Sequence, residues 1–461
     1  MSLYTLNLYG NEVKTSTQPD IILIVSDDQG FDLGCYGKTE FVTPNLDKMA
    51  AEGVRATQFY VTASVCTPSR SGLITGRYPQ RNGTYEMIRN DMVNFGHRYS
   101  PTEYAVSPEM TLGLDPREIT FGDLLQSAGY RTAVIGKWDM GQALRFLPLQ
   151  RGFHYFYGHG NNGIDYFTHE RYGIHSMFQN NQRTKADQGI YSTDIFRRQA
   201  LHFIRENQSK PFFLYLPFNA PHSASNLEKD SNQVPVEYLK KYYPDRDHSK
   251  PSTKYAGMIT AMDEAIGEIF STIHELKLDN TLVLFMADNG RTGAVINGKK
   301  LRGGKSSGFE GGLRVPLIAW WPGVIPAGQT TTEFISSLEI LPTLVTAAGA
   351  KIPDGLHLDG FDMLDVLKGK SPSKRKEIFW DWPSAYQAAR VDQFKWVSWT
   401  PRDQRGLEPA KEALFDLSAD PSESIDLIKT RPDVYQKVKN RFALWQAEMQ
   451  KAEPRGPFRD Y

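Results

Sequence analysis

The sequence predicts an α/β protein: a large, mostly parallel sheet sandwiched by helices, then a smaller antiparallel sheet and a helix at the C-terminal end. Three observations predict it. Asp20–Ser26, Phe212–Phe218 and Thr281–Ala287 are strand-length apolar runs without alternation, the pattern of strands buried on both faces. Strand-like and helix-like stretches alternate through the first 370 residues, as in parallel sheets crossed by helices. Beyond residue 370, closely spaced strand-like runs end in one long helical pattern.

In chain order, Asp20–Ser26 runs directly into Asp27-Asp28-Gln29-Gly30. In open α/β sheets ligands bind beyond the C-terminal ends of strands, so two adjacent acids there predict a cation site. Asn45–Gly53 reads as a short helix with Asn45 as its cap. Ser64–Arg77 contains Cys66-Thr67-Pro68-Ser69-Arg70 and then a helical pattern. Pro68 suits a first helical position, which would set Cys66 beside exposed helix N–H groups that favour anions and thiolates.

Residues 85–118 lack periodicity and read as a loop insertion at the site, Ile119–Gly129 as a helix and Arg131–Gly136 as a strand leading into Lys137. Residues 152–180 interleave aromatic rings with polar groups in Gly-His-Gly-Asn-Asn-Gly-Ile-Asp-Tyr-Phe-Thr-His, a composition suited equally to sugar recognition and to a packed loop. His159, Asn161, Asn162, Asp165, His169 and Arg302 are the substrate-contact candidates. Ile190–Asn207 is a helix, and Phe212–Phe218 leads to Pro221-His222. Residues 223–251 form a polar loop, and Tyr255, Ile259, Met262, Ile266, Ile269 and Ile273 recur at helical spacing as a core stripe. Thr281–Ala287 ends at Asp288-Asn289-Gly290; Val315–Trp320 is a strand and Ser336–Gly349 a helix. After a basic connector, Lys368–Lys376, come strand-like runs at Glu377–Trp382, Phe394–Trp399 and Ala413–Leu417 and a helix over Pro432–Met449. The expected division is 18–370 for the larger domain and 371–461 for the C-terminal subdomain.

Composition excludes several classes. Lys plus Arg equals Asp plus Glu at 53 each, so no global field recruits nucleic acid or a membrane surface. No apolar run approaches the roughly 20 residues of a membrane span, and Met1–Lys14 shows no signal-peptide pattern. Cys35 and Cys66 are the two cysteines. They permit one disulfide, and Cys35 has no partner if Cys66 is modified.

Cys66-x-Pro68-x-Arg70, Asp27-Asp28-Gln29-Gly30, Gly136-Lys137-Trp138, Pro221-His222, Asp288-Asn289-Gly290 and Gly304-Lys305 together resemble the type I sulfatases of the alkaline phosphatase-like superfamily, in the family's order and across most of the first 310 residues. The resemblance implies an alkaline phosphatase-like fold. It also implies that Cys66 is oxidised to formylglycine (3-oxoalanine) by a formylglycine-generating or anaerobic maturating enzyme. One hydroxyl of the formylglycine hydrate would then attack sulfur, and collapse of the other would expel sulfate. The oxygen donors Asp27, Asp28, Asp288 and Asn289 suit a hard cation rather than zinc. The family usually carries calcium, held by these four and residue 66. By resemblance Arg70 holds the hydrate, Lys137 and Lys305 bind sulfate oxygens, and His222 serves the leaving group.

One departure stands out. Gly136-Lys137-Trp138-Asp139-Met140-Gly141 has aspartate where the family usually has histidine. Asp139 is therefore the candidate for proton transfer at the hydrate. The reading is a sulfatase acting on a sulfated carbohydrate, exported by family analogy. The alternatives are a phosphonate or phosphate ester hydrolase of the same superfamily, or a catalytically weak homologue that binds sulfated glycans.

Overall fold

In a computed structural model, residues 17–228, 230–382, 385–403, 406–407 and 409–452 are described. Met1–Lys14 and the last residues of the 371–461 segment lie outside them. The large sheet has the order Gln329–Thr331, Val54–Tyr60, Arg314–Trp320, Thr281–Ala287, Asp20–Ser26, Phe212–Pro217, Arg131–Lys137, Tyr155–His159, Met177–Gln179 and Gln182–Arg183; Ile335–Ser336 also pairs with Val54–Tyr60. Its centre is parallel, from Thr281–Ala287 through Asp20–Ser26, Phe212–Pro217 and Arg131–Lys137 to Tyr155–His159. Arg314–Trp320 runs antiparallel to both neighbours, so the sheet is mixed on that side.

The unalternating apolar runs are accounted for by burial on both faces. Ile21, Leu23 and Val25 enter one core with the helices Cys66–Thr75, Phe121–Ser127 and Ile340–Ala347. Ile22 and Ile24 enter the other with Pro44–Ala51, Ser192–Asn207 and Pro251–Glu275, where the predicted stripe Tyr255 to Ile273 packs. Among the described residues no helix is long and apolar enough to cross a membrane.

Several local expectations are corrected. The first helix is Pro44–Ala51 and follows Thr43; Asn45 lies inside it and bonds Asp263. The helix after Val65 begins at Cys66, so Pro68 is its third residue. Proline is tolerated there because the first four N–H groups of a helix have no intrahelical acceptor. Residues 85–118 carry short turns of helix at Asp91–Phe95, Pro101–Ala105 and Pro108–Thr111, and the polar 223–251 stretch carries Val236–Tyr242.

The C-terminal sheet has four antiparallel strands, Glu377–Trp382, Tyr386–Val391, Phe394–Trp399 and Lys411–Asp416, covered by the helix Pro432–Lys451. Its core includes Tyr60, Tyr78, Phe309 and Leu313 from the larger part, so the two parts share one apolar interior.

Candidate active site

The predicted acids, Asn289, Lys137 and His222 lie at the C-terminal ends of central strands or just beyond them, and Cys66, Arg70 and Lys305 reach them from a helix and a loop. Asp27 and Asp28 follow Asp20–Ser26, Asp288 and Asn289 follow the neighbouring Thr281–Ala287, and Ser26 and Ala287 are in register. Lys137 ends Arg131–Lys137, and His222 lies five residues past Phe212–Pro217. Gly136 is what lets Lys137 enter. At φ +124°, a Cβ there would lie 1.9 Å from the Pro217 carbonyl oxygen.

Cys66 opens the buried helix Cys66–Thr75 and is fully buried. Its Sγ lies 3.4 Å from Asp27 Oδ1 and 3.8 Å from Asp28 Oδ1. Burial, and then the Asp27 charge, push the thiol pKa well up. An unmodified Cys66 is therefore a protonated thiol, and the thiolate favoured by the bare helix N-terminus does not form.

Arg70 projects back from the same helix. Its Nε lies 2.9 Å and its Nη2 2.8 Å from Asp288 Oδ2, and its Nη1 donates to the Lys137 carbonyl at 3.2 Å. Lys137 Nζ is 2.7 Å from Asp27 Oδ2, and Lys305 Nζ is 2.6 Å from Asp28 Oδ2. Burial alone would discharge these ammonium groups, but the carboxylates outweigh it and hold both pKa values up. Burial likewise works against the Asp28 carboxylate, and Lys305 and His222 overcome it to hold its pKa below the ordinary range. The Asp288 pKa is instead raised, by burial and by Asp27.

The site opens on one side only. Arg70, Asp27 and Lys137 side chains are 0% exposed, whereas His222, Asp28 and Lys305 are 16%, 17% and 33% exposed. His222 Nδ1 faces the Ser223 carbonyl at 2.6 Å, which can only accept, so Nδ1 carries the hydrogen. Its Nε2 then accepts from Lys305 Nζ at 3.1 Å. Burial and the Lys305 charge lower the His222 pKa to about 3, so the ring is neutral.

Asp139, like Asp28, has φ +59°, a left-handed conformation uncommon for non-glycine residues and best tolerated by aspartate and asparagine. Its carboxylate receives Thr67 Oγ1 at 3.2 Å and Asn162 Nδ2, and lies 3.9 Å from Lys137 Nζ. Burial raises its pKa to about 6 against the pull of Lys137 and Arg70; Asp27 and Asp288 push the same way as burial. Thr67 stands next to residue 66, so Asp139 is tied to the first turn of the helix Cys66–Thr75.

A bound cation fits this chemistry. Oxygens of Asp27 and Asp28, Cys66 Sγ and a ring nitrogen of His222 lie within 4.8 Å of one another, and Asn289 Oδ1 is buried with no hydrogen-bond partner. Asp288 Oδ1 accepts from the Asp28 N–H at 3.0 Å and fixes the two strand ends together.

The substrate-contact candidates divide. Asp165 is buried and accepts from Phe167 N, Thr168 N, Asn226 and Gln233, an internal loop-bracing role. His169 Nε2 bonds the Ile190 carbonyl, and Asn161 donates to Ser176. Arg302 stacks on Phe309 and donates to the Glu423 carbonyl. Asn162 reaches the site through Asp139 and Thr67. His159 sits in register with Lys137, with Nδ1 3.0 Å from the Asn161 carbonyl; its Nε2 is buried without a partner. Burial and Lys137 hold its pKa well down, which leaves a bare acceptor nitrogen.

Sequence reasoning missed Thr67, Glu86, Trp382 and Tyr386. Trp382 packs against the apolar cluster containing Cys66, and its Nε1 donates to Glu86 at 2.7 Å. Thr67 lay in a variable position of the motif, and residues 382 and 386 lie more than 300 positions from Cys66, where no spacing signal could reach.

A family model described as Sulfatase matches residues 19–350, and one described as N-sulphoglucosamine sulphohydrolase, C-terminal, matches residues 304–451. The chain is similar to arylsulfatase A of Homo sapiens, at 32% identity over 495 aligned positions covering 95% of this chain and 90% of that protein. It is similar to N-acetylgalactosamine-6-sulfatase of Canis lupus familiaris, at 32% identity covering 83% of this chain and 72% of that one. Among solved structures, Ps i-CgsB in complex with k-i-k-neocarrahexaose superposes with TM-score 0.79 at 29% identity, covering 95% of this chain and 94% of that one.

Proposed function

The chain belongs to the sulfatase family and is a sulfuric ester hydrolase, and on that premise we propose that it desulfates a carbohydrate, using formylglycine at position 66 and one calcium ion. The observation that carries this reading is the meeting of Cys66 with Asp27, Asp28, Lys137 and Lys305 in one buried, one-sided site. When present, the aldehyde hydrate supplies the nucleophilic hydroxyl and calcium polarises it and a sulfate oxygen. Asp27, Asp28, Asp288, Asn289 and residue 66 would hold the ion.

The chain's own charges favour a sulfate ester over a phosphate ester. Asp27, Asp28 and Asp288 balance Arg70, Lys137 and Lys305; a dication adds two positive charges and ionised Asp139 removes one. The remainder suits a monoanion. Lys137 and Lys305 present point charges to the sulfate oxygens. On the open side, the Lys305–His222 pair holds a proton at Lys305 Nζ, where the leaving oxygen departs. Asp139 and the bare His159 Nε2 are acceptors on the buried side. The carbohydrate reading rests on the likeness to Ps i-CgsB, solved in complex with k-i-k-neocarrahexaose, and on the aromatic and polar composition of residues 152–180. Residues 18–370 would carry the chemistry and 371–461 the subdomain; export belongs to the same proposal.

The test is peptide mass spectrometry across residue 66 on protein made with a maturating enzyme, followed by paired rates on sulfate and phosphate aryl esters and on sulfated oligosaccharides. A residue lighter than cysteine by about one water's mass, with sulfate turnover dominant, is expected. A full aldehyde complement with phosphate turnover dominant would overturn the reading.

Asp139 gives a prediction with a sign. As a proton acceptor it works as carboxylate, so kcat should rise as pH passes about 6 and then level, and Asp139→Asn should abolish that limb. A carboxyl pKa raised in the folded state means stability is lost as pH climbs from the unfolded value toward about 6. Asp139→Asn should therefore melt higher than wild type at about pH 8 while turning over more slowly, a pairing that melting curves and pH–rate profiles check.

A further inference from the structure

Beside the packing of Trp382 on the Cys66 cluster, the C-terminal sheet reaches the catalytic centre through a buried hydroxyl. Tyr386 begins the strand Tyr386–Val391, pairs with Trp382 across the hairpin and is buried. Its OH lies 3.2 Å from the Ser64 N–H and 2.8 Å from Ser64 Oγ, both donors to it, two residues before Cys66. The Ser64 carbonyl in turn accepts from the Ser306 N–H at 2.9 Å, next to Lys305. The Tyr386 ring also lies over Gly308: a Cβ at that position would sit 2.6 Å from Tyr386 Cδ2, so only glycine allows the approach. One side chain thus touches both the strap that delivers residue 66 and the loop that delivers Lys305, groups otherwise brought together from 239 positions apart in the chain.

Resting on the sulfatase reading, we propose that the Tyr386 hydroxyl is a positioning group that sets residue 66 and Lys305 in register through Ser64. The physical warrant is the steep dependence of attack geometry on position: a misplacement of about 1 Å can cost about 100-fold in rate. Ser64 is fully buried, so no water replaces the lost partner without rearrangement. The ring itself carries the packing, with Trp382 at 6.0 Å in edge contact, which separates the hydroxyl's role from subdomain docking.

The experiment is Tyr386→Phe on the full chain, with Ser64→Ala and the double variant. Expected in Tyr386→Phe is a fall of about 10- to 100-fold in kcat/KM on an aryl sulfate. Weaker binding of inorganic sulfate by calorimetry should accompany it, with unchanged aldehyde content and a melting temperature within a few degrees of wild type. Ser64→Ala, which removes the Oγ bond and keeps the Ser64 N–H bond, should show part of that loss, and the double variant no more than Tyr386→Phe alone, because the hydroxyl carries both bonds. Wild-type kinetics and sulfate affinity in Tyr386→Phe would overturn the proposal, as would a drop in melting temperature alone, the mark of a docking role. If Tyr386→Phe is insoluble, wild-type behaviour of Ser64→Ala overturns it equally. Failure of the sulfatase reading is distinguishable: matured wild-type protein would then lack sulfate-ester turnover, while the calorimetric comparison of the variants still reads the link.

Discussion

Cys66→Ala is expected to lower sulfate-ester turnover by about 10⁴-fold or more, the scale on which removal of a nucleophile is felt when its supporting groups act only through it. The surrounding charges have no other attacker to serve. Asp27 Oδ1 faces Sγ at 3.4 Å, and Lys137, Lys305 and Arg70 are each committed to the carboxylates around it. Cys66→Ser is the sharper control. It restores a hydroxyl of similar size, so ground-state binding should survive, but a sulfate ester formed on serine has no adjacent hydroxyl to expel it. A single-turnover burst followed by a dead enzyme is the expected result. Steady turnover by Cys66→Ser at more than about one per cent of wild type would mean that no aldehyde chemistry operates. The folded state itself should tolerate both changes. Besides Asp27 and Asp28, Cys66 clusters with Ala63, Val65, Met87 and Trp382, and alanine leaves only a small void among them.

The second large effect is expected from the cation. Exhaustive chelation should abolish turnover and lower the melting temperature by a few degrees, and calcium should restore both. An ion at about 100 times its Kd stabilises the folded state by about 2.7 kcal/mol. Without it, Asp27, Asp28 and Asp288 stand close together at two strand ends, where burial and then the Asp27 charge raise the Asp288 pKa. Asn289→Ala removes Oδ1, the buried acceptor without a partner, together with the Nδ2 bonds to Asp28 and the Gly290 carbonyl, so the chelated protein should melt lower than wild type and the further rise on adding calcium should be smaller. A melting temperature indifferent to calcium in wild-type protein would remove calcium from the proposal, whatever the activity does.

Much of this was legible in the chain. Asp20–Ser26 and Thr281–Ala287 had to be interior strands, because seven-residue stretches with so few polar side chains cannot face water on either side. The acids that end them had to lie on the ligand-binding edge. Local composition could not reveal Val54–Tyr60, where Arg55 and Gln58 break the apolar run because both are only half-buried. Nor could it reveal Tyr155–His159, hidden in an aromatic stretch that reads equally as loop. In the same stretch, Asn161, Asp165 and His169 had the composition of a sugar site, but their polar atoms are bonded to Ser176, Asn226, Gln233 and the Ile190 carbonyl. Residue type specifies which hydrogen bonds a side chain can make and says nothing about which partner arrives.

The sequence by itself determined that Asp27, Asp28, Cys66, Asp288 and Asn289 occur in motifs like those of the sulfatase family and that Asp139 stands where that family usually has histidine, because each is a matter of residue identity at short spacing. Tertiary structure alone decided that Thr67 and Asn162 hold Asp139, that Lys305 meets His222 Nε2, and that Tyr386 touches Ser64. Those contacts span separations of 23 to 322 residues, closed by packing of whole elements against one sheet. No local propensity encodes such distances; only the burial of the cores on both sheet faces, and of the interior shared with the C-terminal sheet, brings the groups together.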